Sequence, residues 1–185
     1  MIERTAWVQD EAGRNREVER VHRLVGRSIV SVRYFEIVYP AGDAAWHGDD
    51  FHALDFGLEI DLDNTTTWSF IWQQAGSNEA LLAYEGQLVG NQLRADGVFQ
   101  IWPVGESDQW QAVTRRPIAA VGSAWEHWDA DLCPVTWTLT VEGGGWVAVT
   151  LGTRDERGVF RGSHDDVAVF FDRSIAHAAG VTLPV

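Results

Sequence analysis

From residue 28 onward, apolar and polar positions alternate with a period of two over most of the chain, which is the signature of half-buried strands. Residues 28–39 are rich in branched and aromatic side chains. Leu58, Ile60 and Leu62 alternate with Glu59 and Asp61, and Trp68, Phe70 and Trp72 are spaced two apart around Ser69 and Ile71. Residues 63–66 between these runs are turn formers, so 55–73 is expected to be a hairpin. Further on, Val135, Trp137, Leu139 and Val141 face one way and Thr136, Thr138 and Thr140 the other. Glu142 and three glycines, 143–145, then lead into 146–151, a second hairpin whose turn tolerates positive φ. Residues 79–84 and 166–171 read as further strands. Trp68, Trp72 and Trp137 share faces with leucine, isoleucine and phenylalanine and are assigned to the core. Helical spacing is confined to the ends. Val18, Val21 and Val25 predict a short helix over 14–26 that Gly26 stops, with Arg16, Arg20, Arg23 and Arg27 on one stripe, and Ser174 is placed to cap a last helix through Ala179.

The two halves resemble each other. Residues 24–32 (LVGRSIVSV) match 113–121 (VTRRPIAAV) in apolar pattern, sharing an arginine, an isoleucine two positions later and a valine three beyond it. Each stretch is followed by an aromatic and acidic segment, a polar loop, a hairpin and a final apolar strand. An internal duplication is therefore expected, with units at about 24–86 and 113–172 joined by a linker over 87–111 that holds at most one strand, near 98–102. The expected architecture is all-β, mainly antiparallel, with short helical ends. It is a β-sandwich or partly open barrel of two pseudo-repeated four-stranded halves, forming one domain over 1–185.

Composition narrows the function. The 14 basic side chains are all arginine, against 27 acidic ones, for a net charge of −13. Absence of lysine removes P-loop phosphate binding, Schiff-base chemistry and any lysine general base. So acidic a surface repels phosphates, so no nucleic-acid partner is expected. No apolar run reaches the length of a membrane helix and no signal-peptide core is evident, so the expected location is the cytoplasm, with no membrane partner. Between Tyr34 and Leu93 there are ten acidic residues and no basic one, six of them between Asp49 and Asp63. Such a surface steers basic partners.

Ligand-type side chains gather in three places: 46–55 (Trp46, His47, Asp49, Asp50, His52, Asp55), 127–133 (His127, Trp128, Asp129, Asp131, Cys133) and 163–166. If extended, His127, Asp129, Asp131 and Cys133 would point to one side, as a metal site on a strand requires. The established metal and calcium spacings are missing, so no metal and no cofactor is assigned; His47, His52, His127 and Asp129 are the alternative ligand set. Cys133, the single cysteine, precedes a proline and no helix N-terminus lowers its pKa, which fits a half-buried structural cysteine at a strand start. Trp46, Trp128 and Trp146 fall outside the core pattern and are the candidate exposed anchors.

In size, acidity, cytosolic build and lack of a catalytic motif, the chain resembles the small acidic immunity proteins that neutralise bacterial toxins. That resemblance implies a non-catalytic protein capping a basic partner, a toxin in that case. Asp49, Asp50, Asp55, Asp129 and Asp131 would meet its basic groups, and Trp46, Trp128 or Trp146 would anchor it. The alternatives are a metal-assisted hydrolase using the His and Asp clusters, a carbohydrate-binding module, and a repeat-built structural subunit.

Overall fold

The computed structural model describes residues 10–39, 44–75, 78–95, 97–128 and 131–184. Helix α1 (Glu11–Val21), capped by the Asp10 carboxylate on the Gly13 amide, runs into one 3₁₀ turn, His22–Leu24. Ten strands follow: β1 (Ile29–Ile37), β2 (His52–Leu54), β3 (Gly57–Leu62), β4 (Thr67–Ala75), β5 (Asn78–Glu85), β6 (Phe99–Pro103), β7 (Ile118–Trp128), β8 (Asp131–Val141), β9 (Trp146–Arg154) and β10 (Phe160–Phe170). Helix α2 (Asp108–Gln111) precedes β7, and α3 (Arg173–Ala178) follows β10.

The strands form two five-stranded antiparallel sheets, β5-β4-β3-β1-β6 (sheet 1) and β2-β10-β9-β8-β7 (sheet 2), packed as a sandwich. Inner faces carry the expected alternating residues. Val32, Tyr34, Leu58, Ile60, Trp68, Phe70 and Leu81 of sheet 1 meet Val135, Trp137, Leu139, Val147, Val149, Val167 and Val169 of sheet 2, all buried. Trp137 also ties the layers together by donating from Nε1 to the Leu81 carbonyl, 3.0 Å away. Trp68 and Trp137 are core as the pattern requires, and Trp72 packs half-buried against them.

Each half contributes a four-stranded meander, β1-β3-β4-β5 and β7-β8-β9-β10. Hydrogen bonds recur between them position by position. Gly26 N bonds Ile118 O while Arg115 N bonds Ile29 O, and Ser28 and Pro117 form a bridge between the two lead-ins. Asp63 N to Ser28 O is matched by Glu142 N to Pro117 O, and Leu62 N to Thr66 O by Val141 N to Gly145 O. Gly26 and Arg115 both take positive φ, as do Thr65 and Gly144. Strand β1 slips register between Ile29 and Ser31, and β7 does so between Ile118 and Ala120.

The structure corrects three expectations. Residues 87–111 are no linker. Leu88 is fully buried on the outer face of sheet 1 with Phe35, Ile71 and Tyr84, β6 completes that sheet beside β1, and Trp110 of α2 is fully buried. The short strand β2, hidden in the polar loop, crosses to sheet 2, so that sheet is not built from the second half alone. Finally, Asp172 rather than Ser174 caps α3, accepting from the Ser174 and Ile175 amides.

The outer face of sheet 1 explains why the acidic run does not form a single charged patch. Arg33, directly before that run, donates from Nε and Nη2 to Glu59 (3.0 and 2.7 Å) and from Nη1 and Nη2 to Asp61 (2.5 and 2.9 Å). Glu59 is 3% exposed, and its second oxygen accepts the Leu88 amide at 2.6 Å. Burial raises the Asp61 pKa, but the bonds from Arg33, Ser31 and Thr67 outweigh it and hold the group at about 2. At the other end of the chain's charge balance, the four arginines expected on one helical stripe divide, because α1 ends at Val21. Arg20 bonds the Ala83 carbonyl over the Trp68 ring and Arg23 pairs with Glu85, whereas Arg16 and Arg27 are exposed.

Candidate functional site

The inner face of β1 carries Tyr34 and Glu36, opposite Trp102 and Gln100 of β6, at the edge where β1 approaches β2. Trp110 donates from Nε1 to the Tyr34 hydroxyl (2.7 Å), which lies 2.8 Å from His52 Nδ1. An indole can only donate, so Tyr34 accepts from it, and the direction of the Tyr34–His52 bond is set by the imidazole tautomer. Burial, with the charges of His47 and Arg154 adding to it, lowers His52 to about 4. Tyr34 is itself pushed well above its ordinary range by burial.

Trp46 closes this cluster, its ring edge-on to Tyr34 at 5.2 Å and to His52 at 4.8 Å. Arg154 of β9 draws the surrounding loop inward, donating to the carbonyls of His47 and, at 2.6 Å, Phe51, with its guanidinium over the Phe51 ring. Gly48 is required there, because a Cβ would stand 2.3 Å from the Phe51 carbonyl oxygen.

Glu36 is 2% exposed. Burial and then the charge of Asp55 raise it to about 7, against the partial relief of the Trp102 indole and the Ala45 and Trp46 amides. Asp55 accepts the Ile37 amide (2.8 Å) and the Tyr39 hydroxyl (2.7 Å), while its carbonyl takes Trp72 Nε1 (2.8 Å). Tyr39 is raised by burial and by the hydrogen bond and charge of Asp55, with the charges of Glu36 and Asp166 adding to it. Asp55 and Asp166 flank the β2–β10 pairing that starts at Leu54 and Val167. Beside Asp55 the end of the strand is apolar and open: Ile37, Val38 and Tyr39 are 47, 45 and 36% exposed, and Ile101 on the edge strand β6 is 43% exposed.

These groups make stability depend on pH in opposing senses. Between about 4.5 and 7 native Glu36 keeps a proton that the unfolded chain has released, so stability falls as pH rises. Between about 4 and 6.5 the unfolded chain protonates His52 while the native protein does not, so stability rises with pH. Glu36→Gln removes the first effect alone. The variant is expected to be more stable than the parent at pH 8, by roughly 3 kcal/mol at most, and indistinguishable near pH 4. Urea midpoints across pH check this; equal stability at pH 8 contradicts it.

The structure brings only part of the sequence-derived set together. Asp49 and Asp50 are exposed in the loop held by Arg154, and Asp55 lies at the β1/β2 edge. Trp46 is not an exposed anchor: at 6% exposure it fills the interior, because the loop folds inward onto Arg154. Strand β7 runs through His127 and Trp128 and turns back into β8 at Asp131, so His127 and Cys133 sit on different strands rather than along one. Asp129 lies outside the described residues. Asp131 takes a bond from Asn78 Nδ2 at 3.0 Å, on the side of the sandwich where β8 meets β5, opposite the Asp55 edge. Trp128 and Trp146 are half-buried. Cys133 is fully buried and raised to about 11 by burial and Asp131. Residues 163–166 fall in the register break of β10 between Gly162 and Val167. Among the described residues no group of three or more His, Cys, Asp or Glu side chains could hold a metal ion, and no helix is long and apolar enough to cross a membrane.

Sequence reasoning missed Glu36 and Tyr39, and it placed Asp166 in a cluster apart from Asp55. The available signal was the single acid inside the apolar run 34–39, which period two turns toward the core. Comparison with protein-family models, curated proteins and solved structures found no match for the chain.

Proposed function

We propose that the protein is a non-catalytic binding protein of the immunity type, which engages a basic partner, a toxin or similar cationic protein, through the β1/β2 edge. The observation that carries it is the pairing of Tyr39 with Asp55: an exposed ring whose hydroxyl donates to the Asp55 carboxylate at 2.7 Å, at the end of the exposed stretch Ile37–Val38. A guanidinium or ammonium group can meet the Asp55 carboxylate beside the ring face, and the aliphatic neighbours supply apolar contact. Asp49 and Asp50 on the exposed loop, with the net charge of −13, speed encounter with a positive surface. Such a protein works in the cytoplasm and has no nucleic-acid partner. The repeated hydrogen bonds of the two meanders support their origin in one duplicated unit.

The test begins with the complex recovered from the protein's own cells. The bound protein is expected to be basic and to dissociate as salt rises. Tyr39→Ala and Asp55→Asn are expected to weaken it about 10- to 100-fold each, while Asp63→Asn, in the exposed β3–β4 turn, leaves it unchanged. A neutral or acidic partner, or Tyr39 and Asp55 variants that bind like the parent, would reject the proposal.

A further inference from the structure

We propose a second, independent site: a groove on the outer face of sheet 2 that takes a uronate-bearing saccharide, with Trp146 as stacking wall and Arg173 as carboxylate anchor. The floor is built from two adjacent rows of cross-strand partners, Ala120–Thr140–Trp146 and Gly122–Thr138–Ala148, on β7, β8 and β9. Small residues on β7 leave a depression there, and the C-terminal segment bounds it. A Cβ on Gly122 would come within 2.6 Å of Thr138 Oγ1 and 2.8 Å of Pro184 Cγ. The resulting cavity measures about 310 Å³ and is lined by Thr138, Thr140, Trp146, Arg173, Leu183 and Pro184 among others. A second cavity of about 710 Å³ shares Arg173, Leu183 and Pro184 with it, so the depression continues past the tail. Both volumes fall in the range of about 300–1,000 Å³ typical of small-ligand sites.

The chemistry of the lining selects the ligand. The indole of Trp146 is half-buried, and one flat apolar wall beside hydroxyl groups suits the apolar face of a pyranose ring. Thr136 and Thr150 bond each other at 2.8 Å, whereas Thr138 and Thr140 line the cavity, where a hydroxyl can both donate to and accept from a sugar. Arg173 is the one charged residue lining the 310 Å³ cavity, in a protein of net charge −13. It makes no ion pair among the described residues. Asp172 next to it turns its carboxylate to the Ser174 and Ile175 amides. An exposed guanidinium fork without a protein carboxylate is matched bidentately by a ligand carboxylate. Repulsion from the rest of the chain is screened beyond about 8 Å at physiological ionic strength, so the local charge governs binding.

Calorimetry with galacturonate and glucuronate oligosaccharides, against their neutral galactose and glucose counterparts, tests the assignment. The uronates are expected to bind at millimolar affinity or better and the neutral sugars at least about 10-fold more weakly, which is the contribution of one charged hydrogen-bonded pair. Arg173→Gln, an exposed position that should fold normally, is expected to erase the difference. Trp146→Ala is expected to abolish binding of both kinds; if that variant does not fold, Trp146→Phe should weaken both while Arg173→Gln still separates them. No binding by the parent, equal affinity for uronate and neutral sugar, or unchanged affinity in the Arg173 and Trp146 variants would overturn the proposal. None of these outcomes depends on the β1/β2 edge.

Discussion

Replacing Trp110 by alanine is expected to leave the protein largely unfolded at 37 °C. The side chain is fully buried from a four-residue helix, packs edge-on to Phe171 at 5.1 Å, and donates to the Tyr34 hydroxyl. Truncating a buried tryptophan costs about 3–5 kcal/mol, to which loss of the hydrogen bond to Tyr34 adds about 1–2 kcal/mol. Domains of this size have only about 5–15 kcal/mol in total. Trp110→Phe keeps most of the volume and loses the N–H, so its cost should be near the smaller figure. Urea denaturation of the two variants separates packing from hydrogen bonding; an alanine variant within about 1 kcal/mol of the parent, as at an ordinary surface site, would show that the cluster is not a keystone of this edge.

The second large effect is expected at Arg33. Removing its guanidinium leaves Glu59 buried with only the Leu88 amide beside it, and breaking a buried ion pair from one side typically costs about 3–5 kcal/mol. Because the penalty belongs to the uncompensated carboxylate, Arg33→Ala combined with Glu59→Gln should be more stable than Arg33→Ala alone. A double-mutant cycle reads this directly. Simple additivity of the two substitutions would mean that Glu59 does not depend on Arg33. The segment after β5 should also loosen in Arg33→Ala, since Glu59 holds it through Leu88, and hydrogen exchange at the Leu88 amide would report that.

Much of the fold was legible because it rests on local alternation. The hairpins around 63–66 and 142–145, the core tryptophans 68 and 137, and the sandwich of two meanders all follow from period-two patterning that only one buried face can satisfy. What stayed hidden depends on contacts distant in sequence. Strand β2 is three residues long and exists because β10 offers it an edge. Trp110 lies in a polar stretch and is buried only because β1 places Tyr34 beneath it. Trp46 read as a surface anchor because its neighbours are charged, yet Arg154, over a hundred positions later, turns the loop inward. The acidic density between Asp49 and Asp63 likewise looked continuous along the chain. In three dimensions Arg33 neutralises two of its members on one face, while Asp55 is turned to the Ile37 amide and the Tyr39 hydroxyl elsewhere.

The claim that the β1/β2 edge is a cation-seeking surface is tested most directly by amide chemical-shift mapping of the isotopically labelled protein, titrated with a short peptide alternating arginine and leucine, at low and high salt. The largest shifts are expected at Ile37, Val38, Tyr39 and Asp55, fading as salt is added. Shifts centred on the β3–β4 turn or helix α1, or a response at the β1/β2 edge that salt leaves untouched, would contradict it.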